Sequence, residues 1–411
     1  MKSLPRLFRI FVALVVPIIF GQPAYAFYAW QGDDGSIAMR GLLRGSGLIL
    51  KNPNDPILYN KRSVSGLAGS GRLMVDAGFG DRTTFEMHAE QSYVPLELQT
   101  GGSNLVTLQD VERSDLLDWS FDNKRAHLLI DRFNVQYASP KVTVKIGRQP
   151  VNLAATFYFT PNDFFAPFAA QTFFRAYKPG VDAVRADIRL GDLSQLSLIS
   201  VLGYRPDPLS DNGWSNRIDA ARNSYLARAS STFGDFEVAL LGGTVKKDVV
   251  IGGDFQGEVF EWLGIRGEGH VNFPDQAGQK RRVEVAVGLE HRWENTFSLR
   301  VEQFYHGGGA SSTATYALPG ASQGFYMARN YTAAGGDYEF TPLLTGDMTV
   351  IYNWLDRSAL LAVYALYSLA DESELALSGT LASGRRPTGA VLNSEFGLYG
   401  NSISCEIRSY F

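Results

Sequence analysis

Chemistry needs groups that attack, ligate or hold charge, and this sequence offers few in useful arrangements. It has five histidines, His88, His127, His270, His291 and His306, and one cysteine, Cys405. No two histidines stand at metal-ligand spacing, there is no cysteine pair, and no Cys-x-x-Cys-His run could attach haem. No serine and histidine sit in a nucleophile motif with a third polar group to orient them. The expectation is a chain with no catalytic centre, no cofactor and no metal.

Charge and aromatic residues concentrate together over residues 145–189. Gly147-Arg148-Gln149 ends an alternating segment. Residues 150–178 then bring Phe157, Tyr158, Phe159, Phe164, Phe165, Phe168, Phe173, Phe174 and Tyr177 into one connection. An exposed loop is not normally this apolar. The composition predicts a loop folded back against a surrounding wall, narrowing what the wall encloses, with Asp163, Arg175 and Lys178 facing the water path. The alternative is an external loop packed on itself or on a neighbouring subunit. In the next segment Arg185, Asp187 and Arg189 share one face and Val184, Ala186, Ile188 and Leu190 the other. Glu284 and Glu290 likewise oppose Val283, Val285, Val287 and Leu289. A charge facing lipid at the bilayer midplane costs about 2–4 kcal/mol, so the charged faces are expected to point into a wet lumen. The predicted lining residues are therefore Arg148, Asp163, Arg175, Lys178, Arg185, Asp187, Arg189, Glu284 and Glu290.

Such residues need a wall to carry them. A membrane-spanning strand takes roughly 9–11 residues and alternates between lipid and lumen. Eighteen alternating segments can be traced: residues 36–50, 63–78, 84–96, 125–137, 142–149, 181–190, 195–204, 224–233, 236–245, 249–255, 259–271, 283–293, 297–305, 330–340, 344–354, 359–369, 375–382 and 395–411. Long polar connections alternate with tight turns such as Gly80-Asp81-Arg82, Gly191-Asp192, Gly234-Asp235 and Gln256-Gly257. The fold class expected is all-β, a transmembrane antiparallel up-and-down β-barrel of about 18 strands, 16 being the other count the boundaries allow. Residues 359–369 are apolar on both faces, which suggests contact with a partner or a second subunit.

The ends agree with this reading. Lys2, Arg6 and Arg9 precede an apolar run over residues 10–20, and Ala24-Tyr25-Ala26 offers small-x-small cleavage. That is the pattern of a signal peptide, and the run is too short to span a bilayer as a helix. Residues 1–26 are read as a leader and 27–411 as the barrel. The 411 residues less 26 leave 385, with 35 basic and 42 acidic residues after the leader's three cations, a charge of −7. A mildly acidic chain is not a nucleic-acid partner. The length leaves no room for a plug domain beside a 22-strand transporter barrel. At the other end Ile403, Cys405 and Ile407 alternate with Ser404, Glu406 and Arg408 before Phe411. This resembles the assembly signal of bacterial outer-membrane proteins, from which Ser409 departs.

The pattern Gly147-Arg148-Gln149, a long loop, then Gly180-Val181-Asp182-Ala183-Val184-Arg185 resembles the alginate-export family and related substrate-specific outer-membrane porins. The match covers residues 145–189. It implies an eighteen-strand barrel whose lumen is lined by arginines and passes an anionic polysaccharide, with Arg148 and Arg185 at the matching positions. Asp163, Asp187, Glu284, Glu290 and Glu302 would dilute an anion filter, so the resemblance implies a channel and leaves its cargo open. The function expected is passive diffusion of small hydrophilic solutes or saccharides, anionic ones included, through an outer-membrane porin. The alternative is a sleeve around a multihaem cytochrome carried on a separate chain. Expected partners are outer-membrane lipid and a small solute, with that cytochrome or further copies of the chain as alternatives.

Overall fold

A strand with lipid on one side and water on the other must alternate, and the chain spends most of its length doing so. The computed structural model describes residues 27–101, 111–276, 278–317 and 326–411. The expected leader, residues 1–26, lies outside them. The strands in chain order are β1 (Tyr28–Gly32), β2 (Gly35–Lys51), β3 (Ser63–Phe79), β4 (Thr83–Tyr93), β5 (Asp118–Phe121), β6 (Ala126–Ala138), β7 (Val142–Gln149) and β8 (Val181–Arg189). Then come β9 (Ser194–Val201), β10 (Tyr204–Pro206), β11 (Trp214–Ile218), β12 (Ser224–Phe233), β13 (Phe236–Val245), β14 (Asp248–Val259) and β15 (Leu263–Phe273). The last are β16 (Arg282–Arg292), β17 (Ser298–His306), β18 (Asn330–Thr341), β19 (Leu344–Asn353), β20 (Ala359–Ala370), β21 (Ser373–Ser383) and β22 (Asn401–Tyr410).

Twenty of these form one antiparallel sheet. β1 and β5 only extend the free edges of β2 and β6, and the remaining 18 close into a ring. Closure is made by β22 against β2, from Leu42 opposite Tyr410 to Lys51 opposite Asn401. β10 and β11 form a separate hairpin. A closed ring leaves no open sheet edge to be stranded in hydrocarbon. The connections at one end are tight, and most of those at the other are long. Short turns belong at the periplasmic side of such barrels and long loops outside.

The outward faces are apolar. Leu240, Ile251, Leu377 and Ile403 are all more than half exposed, as are the rim aromatics Phe260 and Trp262. The inward faces carry the charges, and the Val/Leu face of β16 points outward as the alternation predicted: Val287 is 43 % exposed while its neighbour Ala286 is fully buried.

Several boundaries differ from expectation. Gly257 lies within β14, opposite Phe236 and Ile265, not in a turn. The turn is Phe260-Glu261-Trp262, with Phe260 and Glu261 at φ of 57° and 61°. The two added cross-strand pairs, Glu258 with Gly264 and Val259 with Leu263, extend the ladder and bring Phe260 and Trp262 to the level where aromatic side chains border the membrane. The last strand starts at Asn401, not near 395, because Phe396–Leu398 form a 3-10 turn packed inward. The two apolar faces of β20 have a local explanation. Leu360 and Ala362 are each 1 % exposed, and Leu360 belongs to a cluster with Phe159 and Ala170 of the 150–180 connection, while Val363 and Leu369 face outward.

Candidate constriction and lumen wall

The connection after β7 is anchored at both roots. Gly147 has φ of 120°, and a Cβ there would strike the Phe133 carbonyl, so glycine is needed where β7 crowds β6. The next residue, Arg148, stands opposite Asp182 on β8. Its Nε and Nη2 donate to the two Asp182 oxygens at 3.0 and 3.1 Å. Nη1 donates to the Ile130 carbonyl, and Nη2 also reaches the Ser114 carbonyl and hydroxyl. The side chain has no exposure at all. The other root is held by Asp131, which accepts from Gly180 N at 2.9 Å and from Arg72 and Arg132. Arg132 in turn donates to the Lys178 carbonyl.

The first half of the connection lies against β15, β17 and β18. Its backbone N–H groups meet two wall carboxylates. Glu268 accepts from Ala155, Thr156 (2.9 Å) and Asn162 (2.8 Å). Glu302 accepts from Phe157 (2.5 Å), Tyr158 (2.7 Å) and Phe159 (3.0 Å). Phe159 stacks on Phe304 of β17 with ring centroids 4.9 Å apart. Tyr158 sits over Gly335 of β18, where any side chain would collide with its hydroxyl.

The second half meets β20, β22, β2 and β3. Phe173 stacks on Tyr364 of β20 at 5.1 Å. Phe174 takes two guanidinium groups, Arg408 of β22 at 4.0 Å and Arg44 of β2 at 4.8 Å, and Tyr177 takes Arg72 of β3 at 4.5 Å. Arg44 and Arg408 stand directly opposite each other. Like charges so placed repel, and Glu406 between them offsets this, accepting from Arg44 at 2.7 Å and Arg408 at 2.5 Å. Leu42, Arg44, Arg72, Glu90, Phe174 and Tyr177 border a cavity of about 280 Å³.

The predicted lining residues do not share one environment. Arg148 is enclosed and joins the roots of the connection, so it is a fastener and not a water-facing charge. Asp163 and Lys178 form a buried ion pair with each other, with side chains 5 % and 9 % exposed. Burial raises the Asp163 carboxyl above its ordinary value and lowers the Lys178 ammonium below its own, and their mutual attraction offsets part of both. Arg175 is half-buried. It donates to the Thr172, Phe157 and Ala170 carbonyls and lies over the Phe157 ring, so it stiffens the connection from within. Arg185 and Asp187 pair on the inner face of β8 at 2.8 Å and are each about a quarter exposed. Arg189 is exposed near the turn to β9. Glu284 pairs with His306, and Glu290 links Arg266 to Arg300, which continues to Asp337.

Sequence reasoning missed Arg44, Arg72, Arg408 and Glu268, and named Glu302 only as one of the acids diluting an anion filter. Arg408 was within reach, because the alternation of Ile403, Cys405 and Ile407 already turns it inward. Glu268 and Glu302 carry no local signal, since what marks them is the backbone they meet more than a hundred residues away.

No family model and no curated protein matches the sequence. Solved structures do match in shape. OccK9 (OpdG) of Pseudomonas aeruginosa superposes with a TM-score of 0.59 and 11 % identity, covering 91 % of this chain and 98 % of that one. OccAB1 of Acinetobacter baumannii gives 0.57 and 12 %, covering 91 % and 96 %. A BenF-like porin from Pseudomonas fluorescens Pf-5 gives 0.57 and 12 %, covering 91 % and 98 %. The chain shares their fold. At such identity the likeness is one of architecture, and what passes through this barrel must be argued from its own residues. The motif that suggested alginate export has a geometric role here: its two halves are the two roots of one connection, joined by Arg148 and Asp182.

Proposed function

We propose that this chain is an outer-membrane porin passing small hydrophilic solutes by diffusion, with a preference for anions, through a lumen that residues 150–180 fold into and narrow. One observation carries the reading. The connection leaves the wall between β7 and β8, yet its side chains and backbone engage the inward faces of β15, β17, β20, β22, β2 and β3. A segment packed outside the ring or on itself would not meet those faces. The anion preference rests on Arg44, about a third exposed beside the cavity under Phe174 and Tyr177, together with the partly exposed Arg185 on β8; Arg72 and Arg408 are enclosed behind them. Each has acidic neighbours, so the field is mixed and suits a small anion better than a long polyanion such as alginate. A cytochrome sleeve would need an open bore, which a crossing segment removes. The leader at residues 1–26 would deliver the chain through the inner membrane.

The test is single-channel conductance and reversal potential of the refolded mature chain in a planar bilayer under a salt gradient. Steady conductance with anion preference, reduced in Arg44→Ala and Arg185→Ala, is expected. A properly folded barrel that conducts nothing, or one that prefers cations, would overturn the proposal.

A further inference from the structure

Most inward-facing acids of this barrel stand beside an arginine: Glu90 by Arg72, Asp254 by Arg228, Glu290 by Arg266, Asp337 by Arg300, Glu406 by Arg44. Glu268 and Glu302 do not follow this rule. They are 4 % and 1 % exposed, and neither forms an ion pair among the described residues. They take backbone N–H groups, three each, all from Ala155 to Asn162. That stretch has no helix or strand partner of its own, so without these acceptors its N–H groups would be buried unpaired. A carboxylate suits the task because it only accepts and has two oxygens for several donors. An amide would turn its own N–H₂ toward N–H groups. The wall is shaped for one of them: Glu302 lies across Gly288, where a Cβ would come within 2.7 Å of its Cγ. The loop also ties itself down beside this site, Asn162 Nδ2 donating to the Gly253 carbonyl at 3.0 Å.

We propose that Glu268 and Glu302 are positioning residues that fix the course of residues 155–162 across the lumen and so set the calibre of the pore. They act on a passing solute through the loop and do not touch it. This rests on the reading of residues 150–180 as the constriction. It separates two kinds of wall acid. Those beside arginines shape the field that ions feel, whereas these two shape the opening.

The experiment compares the refolded mature chain with Glu268→Gln, Glu302→Gln and the double variant in planar bilayers. Folding is checked by heat-modifiable migration in detergent gels. The readout is the largest neutral polyethylene glycol that enters and lowers conductance, because an uncharged probe reports width and ignores lost charge. A higher size cut-off in each variant, highest in the double, is expected, with conductance rising at least twofold in the double. Ala155→Pro removes one donor from the loop side without altering the wall and is expected to move the cut-off in the same direction, which keeps the test informative if the glutamine variants do not fold. A wild-type cut-off well below that of a bare eighteen-strand ring, unchanged in the folded variants, would overturn the positioning role alone. A wild type that already admits polymers fitting the bare ring would overturn both this proposal and the constriction itself.

Discussion

Replacing Arg148 by methionine would remove a charge that no water reaches while keeping much of the side chain's bulk. The guanidinium makes five hydrogen bonds, two to Asp182, two to Ser114 and one to the Ile130 carbonyl. Breaking a buried pair by removing one partner costs about 3–5 kcal/mol, because the other charge stays buried. Asp182 would keep the Tyr204 hydroxyl at 2.9 Å and the Ser114 hydroxyl at 3.1 Å, which places the loss near the lower end, ~3 kcal/mol. Adding Asp182→Asn removes the orphaned charge and should recover about 1–2 kcal/mol, so the two changes are not additive. Urea unfolding in phospholipid vesicles, followed by tryptophan fluorescence, measures both. Ion selectivity of the folded Arg148→Met channel should stay near that of the wild type. An unfolding free energy within about 1 kcal/mol of wild type, coupled to a clear change in selectivity, would refute the reasoning and return Arg148 to the water path.

Other consequences can be tested in the same way. Arg185→Ala removes a partly exposed charge, so stability should change by less than about 1 kcal/mol while the reversal potential moves toward cations. Val287→Arg puts a charge on the lipid face of β16 and should destabilise the barrel by about 2–4 kcal/mol in vesicle unfolding; no loss would mean that this face does not meet lipid. Glu395, in the connection before β22, is 1 % exposed and accepts from Tyr331, Asn353 and Met327, with Asp356 beside it and no ion pair among the described residues. Burial raises its carboxyl from 4.5 to about 7. An acid raised in this way favours the folded loop below pH 4.5, and that advantage is lost as pH rises through about 7. At about 1.4 kcal/mol per pKa unit, the cost above pH 7 is ~3 kcal/mol. Hydrogen-exchange protection over residues 384–400 should therefore fall between pH 5 and pH 8.5 in the wild type and stay level in Glu395→Gln; equal pH dependence in both would reject the assignment.

The wall was largely legible in the sequence because each strand states its own facing. Alternation in residues 181–190 and 283–293 is a local property, and lipid penalises its violation, so strand number and inward charges followed from short windows. The turn after β14 was misplaced because Gly257 is a good local turn residue, whereas Phe260 and Trp262 gain only by reaching the membrane border. The candidate constriction was legible in composition and not in detail. The aromatic run announced a covered loop, and the two-sided apolarity of residues 359–369 was the imprint of that same loop. Which charges face water was not legible, since Arg148, Asp163 and Lys178 acquire their partners only after the chain has closed. Nothing near Glu268 or Glu302 in sequence hints that six backbone donors will arrive there.

The closure of the ring has a kinetic side. Every other neighbouring pair in the wall is joined by one connection, but β2 and β22 meet across almost the whole chain, as the Arg44–Glu406 contact, 362 residues apart, shows. Loop-closure cost rises only logarithmically with length, but this is the longest separation in the ring, and pairing at such separation is slow. The seam should therefore zip last. Until it does, a curled sheet carries two long unpaired margins, and unpaired margins recruit other chains. In the finished ring these margins are paired, and only the short outer edges of β1 and β5 stay open. The hazard of aggregation therefore belongs to the interval before the first and last strands of the ring find each other.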